Sequence, residues 1–96
     1  MAYQIYYTED ALVDLEIILE YIRADNPPAA ERLGTALLAH VDLLRYFPRL
    51  GTAVPRRRGV RRILHTPVLI YYRLYDDKGL VEILHFWHGS RKDPIL

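Results

Sequence analysis

The feature that most restricts this chain is residues 68–91, VLIYYRLYDDKGLVEILHFWHGSR, which reads as two apolar strands joined by a tight turn and ending in a compact polar signature. Asp76-Asp77-Lys78-Gly79 has the composition of a four-residue loop built on a type I turn, with Gly79 free to take the positive φ that closes it. This turn sets a register. Tyr75 then faces Leu80, Arg73 faces Glu82, Tyr71 faces Leu84 and Leu69 faces Phe86 on one side of the sheet. Leu74 with Val81, Tyr72 with Ile83, Ile70 with His85 and Val68 with Trp87 occupy the other. The opposed Arg73 and Glu82 favour this pairing, because a slip of one residue moves every side chain to the wrong face.

A chain of 96 residues is enough for one domain, 1–96, with a single core. Its 51% hydrophobic and 26% charged composition is globular, and no apolar run approaches the ~20 residues of a membrane span. There is no cysteine, so disulfides and thiolate metal sites are excluded and a cytoplasmic location is expected. The start, MAYQIYYTED, lacks the basic and apolar regions of a signal peptide. Net charge is +1 but unevenly spread. Arg56, Arg57, Arg58, Arg61 and Arg62 cluster in one stretch, whereas Glu9, Asp10, Asp14, Glu16, Glu20 and Asp25 crowd the first quarter. Such a split suggests one face meant for an acidic partner.

Residues 3–7 are aromatic and β-branched and read as a first strand. Thr8 is placed as an N-cap, with Glu9 and Asp10 in the first helical turn. Ala11, Leu12, Leu15, Ile18, Leu19 and Ile22 then form one apolar stripe, expected to face the sheet. Val13 and Ile17 lie on another side and suit either packing against the next helix or docking of another chain. Asn26-Pro27-Pro28 separates this helix from a second, expected to run to about Tyr46. Its stripe comprises Ala29, Ala30, Leu33, Ala36, Leu37, His40, Val41, Leu44 and Phe47, with Gly34 at the border for close approach of a neighbour. His40 inside that stripe reads as a hydrogen-bonded core residue. Phe47-Pro48-Arg49-Leu50-Gly51 stops the helix, and residues 60–65 form a short strand before Thr66-Pro67. The fold class is α+β, order β-α-α-β-β-β, with an antiparallel sheet and a helical hairpin packed on one face.

No catalytic centre stands out. His40, His65, His85 and His88 have no zinc spacing, and neither a phosphate loop nor a serine nucleophile motif is present, so no cofactor and no metal are expected. A basic rim of Arg56, Arg57, Arg58, Arg61, Arg62 and Arg91 is the more distinctive feature, suited to phosphate or carboxylate. The face carrying Leu69, Tyr71, Leu84 and Phe86 is apolar where the helices cannot cover it, which calls for a partner laid across it.

Four pieces of the chain resemble the RelE/ParE family of toxins from type II toxin-antitoxin systems. They are residues 11–15 with Tyr21-Ile22, then Asn26-Pro27 with Ala29-Ala30, the Phe47-Pro48-Arg49-Leu50-Gly51 stop, and Gly59-Val60-Arg61-Arg62 ahead of a hairpin ending His88-Gly89-Ser90-Arg91. The resemblance implies the same fold and a cognate ParD-like antitoxin, with a DNA-binding N-terminus and a flexible C-terminal tail. Antitoxin contacts are then expected at Val13, Ile17, Leu69, Tyr71, Leu84 and Phe86. It also implies a target: DNA gyrase for the ParE-like branch of plasmid-stabilisation proteins, or ribosome-bound mRNA for the RelE branch. There is no tyrosine after Tyr75 and only two lysines, Lys78 and Lys92, which departs from the RelE nuclease pattern. The ParE-like, non-enzymatic reading is therefore preferred. If RNA were cleaved, Arg62, His88 and Arg91 would carry the chemistry, with His88 as general acid or base. A degenerate, non-toxic interaction module is the remaining alternative.

Overall fold

The computed structural model describes residues 2–92 and 94–96. Its elements are β1 (Gln4–Tyr7), α1 (Glu9–Arg23), α2 (Pro27–Asp42), β2 (Thr52–Ala53), β3 (Val60–His65), β4 (Val68–Tyr75) and β5 (Leu80–His88), with single 3-10 turns at Leu43–Arg45 and Asp76–Lys78. The fold class is the expected one. The sheet has five strands in the order β1-β5-β4-β3-β2. Strands β2 to β5 are antiparallel neighbours, while β1 joins β5 in parallel, so the sheet as a whole is mixed. The two-residue β2 has too little sequence to display alternation, which is why it reads as loop.

Caps fix the helical hairpin. The Thr8 hydroxyl accepts the Ala11 N–H at 3.1 Å and donates to the Ile83 carbonyl at 2.8 Å, so the residue that starts α1 also pins it to β5. Asn26 caps α2 by accepting the Ala29 N–H at 3.1 Å. At buried Gly34 an added Cβ would stand 3.2 Å from Leu19 Cδ1, so α1 and α2 meet there at a distance that suits glycine. α2 ends four residues earlier than the periodicity implies, and the chain tightens into the 3-10 turn ahead of Pro48. Phe47 is consequently exposed instead of joining the core. Leu12 is exposed as well, since it sits about 100° around α1 from Ala11, at the margin of the buried stripe.

The core lies between the hairpin of helices and one sheet face: Ala11, Leu37, Val41 and Leu44 against Ile63, Val68, Ile70, Tyr72, Val81, Ile83 and Phe86. The expected β4/β5 register holds from Tyr75/Leu80 to Tyr72/Ile83 and then breaks. A bulge makes Leu84 the extra residue, so Tyr71 pairs with His85, Ile70 with Phe86, Leu69 with Trp87 and Val68 with His88. Phe86, assigned from alternation to the open face, therefore turns to the helices. It is 1% exposed, with its ring stacked 6.3 Å from that of Tyr7. The physical reason lies in the neighbouring strand, since β1 ends beside Ile83 and Thr8 takes up the carbonyl there.

The turn of the hairpin is tied down. Gly79 has φ +57, as its turn requires. Asp76 accepts hydrogen bonds from the Tyr3 hydroxyl and from Arg49, and these two partners, Tyr3 first, hold its carboxyl below the usual range. Arg49 of the helix-stopping motif is thus a clamp on the β4–β5 turn.

Candidate functional site

Register brings Arg62, Tyr71 and His85 into one row, since Arg62 is the partner of Tyr71 and Tyr71 that of His85; Arg62 and Tyr71 lie on the face away from the helices, and the row ends at His85 where β5 meets α1. Arg62 donates to the Tyr71 hydroxyl at 3.3 Å. Tyr71 is only 1% exposed, although it lies outside the main core. Buried Pro94 and half-buried Leu96 line one hollow with Arg62, Tyr71 and residues 54–57, so the C-terminal segment lies against this face. Trp87 fastens the approach to that segment, donating to the Lys92 carbonyl while the Arg91 guanidinium stacks 4.0 Å from its ring. Leu69 and Leu84 are half-buried. The face expected to be bare is therefore partly closed by the chain itself.

His85 is the site residue that alternation misplaced. The bulge carries it away from the core, where its Nδ1 meets Asp14 Oδ2 of α1 at 2.7 Å and its ring stands edge-on to Trp87. Both side chains of the pair are 17% exposed. A lone His on β5 and a lone Asp on α1 give no sequence signal for this pairing.

The trio Arg62, His88 and Arg91 is not brought together. His88 pairs with Val68, three residues along β5 from the Arg62 row and two strands over, at about 3.3 Å per residue and about 4.8 Å per strand. His88 Nδ1 is engaged by Ser90, whose N–H donates at 3.2 Å and whose Oγ lies 2.7 Å away. Gly89 N–H donates to the Pro67 carbonyl, and Arg91 N–H to the His88 carbonyl, closing a local turn. His88 and Arg91 instead border an apolar groove with Ile17, Tyr21, Leu33 and Pro67. On its α1 side Val13 and Ile17 are exposed, so they do not pack against α2, and Tyr21, 82% exposed, continues their strip by one more turn.

Nor do the arginines of the expected rim form one. Arg56, Arg57 and Arg58 occupy the turn between β2 and β3; Arg61 faces the helix side and donates to the Gly51 carbonyl at 2.7 Å; Arg62 lies on the open face; Arg91 is at the far end of β5. Alternation along β3 separates Arg61 from Arg62.

His40 of α2 meets His65 of β3, Nδ1 to Nδ1 at 2.9 Å, with rings edge-on. One ring must donate and the other accept. Burial first, and the charge of His65 second, push the His40 pKa below its ordinary 6.5. The fold thus favours neutral His40, and its contribution is complete above the unfolded-state pKa. As pH falls through about 6.5 the unfolded chain takes up the proton first, and stability declines until the lower folded-state pKa is passed. Thermal midpoints between pH 8 and pH 5 should therefore drop more steeply in the parent than in His40→Gln; parallel curves would assign the drop to other groups.

A family model described as "ParE toxin of type II toxin-antitoxin system, parDE" matches residues 5–93. The chain belongs to this RelE/ParE toxin family. Toxin RelE2 of Caulobacter vibrioides is 35% identical over 91 residues, covering 92% of the chain and 97% of the relative. In fold, the chain resembles the chromosomal ParDE system of P. aeruginosa, with a TM-score of 0.77, 20% identity, and 93% and 98% of the two chains covered. The RelBE2 toxin-antitoxin complex of Mycobacterium tuberculosis gives a TM-score of 0.68 at 24% identity, covering 95% of each chain. The intact RelBE complex of E. coli gives 0.62 at 19%, covering 94% of this chain and all of the other. By family the chain is a toxin of the type II toxin-antitoxin class. Among its described residues no helix is long and apolar enough to cross a membrane.

Proposed function

We propose that this toxin is ParE-like: it arrests growth by binding a protein target, DNA gyrase, and carries no nuclease centre. The observation that carries this reading is the state of the row Arg62, Tyr71, His85. Its central hydroxyl side chain is 1% exposed beside the buried Pro94, so within this row a phosphodiester has no open approach to the Tyr71 hydroxyl beside Arg62. His88, the other candidate base, lies off that row with its Nδ1 held by Ser90. Purified protein is expected to inhibit gyrase supercoiling and to leave mRNA intact in a ribosome-dependent cleavage assay. The opposite pair of results would replace this reading with the RelE-like one. That alternative has one specific support, the Asp14-oriented imidazole of His85 in the Arg62 row; on it, His85→Ala would abolish cleavage and His88→Ala would not. Induced, soluble protein without growth arrest would instead indicate a non-toxic interaction module.

The antitoxin, on this reading, lies along α1. Val13, Ile17 and Tyr21 present an exposed apolar strip beside the groove of Leu33, Pro67 and His88, an arrangement suited to an amphipathic segment. Leu69 and Leu84 offer a smaller secondary contact, and buried Tyr71 and Phe86 offer none until the C-terminal segment or the core is disturbed. Ile17→Glu should weaken the antitoxin complex tenfold or more, about 1.4 kcal/mol, because it puts a charge in the centre of an apolar contact. Glu20→Ala, one turn along at the side of the strip, should leave the affinity within about twofold. Equal effects would place the antitoxin elsewhere.

A further inference from the structure

We propose that the turn between β2 and β3 is a binding site for the phosphate backbone of duplex DNA, formed by Arg56, Arg57 and Arg58. This inference goes beyond the choice of target and does not depend on it.

The first support is the ordering of the turn. β2 and β3 pair at Thr52/Arg62 and Ala53/Arg61, and the ribbon is extended by Val54 N–H on the Val60 carbonyl at 3.0 Å. Within the loop Val60 N–H donates to the Arg57 carbonyl at 3.1 Å, and Arg57 N–H to that of Val54 at 3.3 Å. Two guanidinium groups then brace it, Arg57 on the Arg56 carbonyl at 3.1 Å and Arg73 on the Arg58 carbonyl at 2.9 Å. Arg56 holds φ +63 at the third position of the turn that Arg57 N–H closes on the Val54 carbonyl, with Pro55 at the second, so the local turn fixes where its side chain leaves the loop.

The second support is unbalanced charge. Among the described residues Arg56, Arg57 and Arg58 have no carboxylate within ion-pair distance, a state they share with Arg32 and Arg73, but only these three are adjacent in sequence and exposed together. Three adjacent exposed cations repel one another, and an external polyanion removes that repulsion. The strand order puts them at the β2 edge, while α1, with exposed Glu9, Asp10, Glu16 and Glu20, packs on β5 towards the other edge. A polyanion is thus attracted at one edge and repelled at the other, which orients the turn towards it.

The third support is shape. The hollow beside the arginines is lined by Ala53, Val54, Gly59 and Val60, which offer no deep apolar pocket for the side chains of an acidic peptide. A two-stranded ribbon fits the major groove of B-form DNA, about 12 Å wide, whereas the deep, narrow major groove of A-form RNA excludes it. Guanidinium groups also suit bidentate contact with phosphate oxygens.

Three phosphate contacts predict binding without sequence preference and a plot of log affinity against log salt with slope about −3. Fluorescence anisotropy of the full chain with a labelled 20-base-pair duplex, from 20 to 200 mM salt, measures both. Replacing Arg56, Arg57 and Arg58 together by alanine should bring the slope near zero and cost at least tenfold in affinity at low salt, with an unchanged thermal midpoint. The triple lysine variant should keep most of the slope, and Arg32→Ala on α2 should change nothing. No binding at 20 mM salt, or a triple-alanine slope equal to that of the parent, would overturn the proposal. So would tighter binding to double-stranded RNA of the same length or to an acidic peptide of matched charge, the second outcome marking the turn as a contact for a protein.

Discussion

Phe86→Ala is expected to lower the stability of this toxin by about 3–5 kcal/mol, the usual range for deleting a fully buried phenyl ring. The ring is 1% exposed, belongs to the cluster containing Ile70, Ile83 and Leu44, and stacks on Tyr7 of the edge strand. Its loss would leave a cavity between β5 and the helices, at the point where β1 hands over to α1. Against the 5–15 kcal/mol typical of a whole domain this is a large fraction, corresponding to upwards of about 15 °C in melting temperature for a chain of this size. Leu84→Ala, at the half-buried extra residue of the bulge, should cost about 1 kcal/mol or less. Urea unfolding with unchanged m-value measures both. An unbroken register would leave Leu84 and Phe86 together on the open face and make the two effects similarly small, so the pair of variants tests the bulge itself.

That bulge separates what the chain discloses in its sequence from what it does not. The turn at 76–79, the pairing down to Tyr72/Ile83, both helix caps and the close approach at Gly34 are local, each announced by residues a few positions apart. The register beyond Ile83 is set by a different strand. Leu84, His85 and Phe86 alternate equally well with or without an extra residue, and the choice falls where Thr8 claims the edge of β5. One inserted position then relocates Phe86 into the core, brings His85 to Asp14, and moves His88 beside Val68. The exposure of Val13 and Ile17 was open for a similar reason. Helical periodicity separates them from the core stripe, yet whether α2 reaches them depends on how the two helices cross. The contact of Pro94 and Leu96 with the Tyr71 hollow is longer in range still, and a short stretch after His88 carries no periodicity from which to infer it.

Gly51→Ala should be nearly as damaging, at about 3 kcal/mol, although it adds a single methyl group. A Cβ at this buried position would stand 2.6 Å from the Arg62 carbonyl oxygen, 2.8 Å from its carbonyl carbon and 2.8 Å from Ile63 Cγ2. Two of the three neighbours are backbone of a paired strand, so β3 cannot yield without losing its ladder, and the loop must lift instead. Lifting breaks what the loop is fastened by. Gly51 N–H donates to the Tyr72 hydroxyl at 2.9 Å, that hydroxyl donates to the Pro48 carbonyl at 2.8 Å, and Arg61 donates to the Gly51 carbonyl at 2.7 Å. Burial keeps the Tyr72 phenol protonated by pushing its pKa up, so it serves both partners at once. Each such bond contributes about 1 kcal/mol, and the steric term supplies the remainder. Tyr72→Phe removes the hydroxyl without adding bulk and should cost about 1–2 kcal/mol. Gly89→Ala, where the added carbon would meet only the Pro67 carbonyl oxygen at 3.2 Å, should cost less than Gly51→Ala. If urea midpoints put Gly51→Ala within about 0.5 kcal/mol of the parent, the loop is not seated against β3 in this way. Because Gly51 leads directly into β2, such a result would also remove the anchor that places the arginine turn at this edge of the sheet.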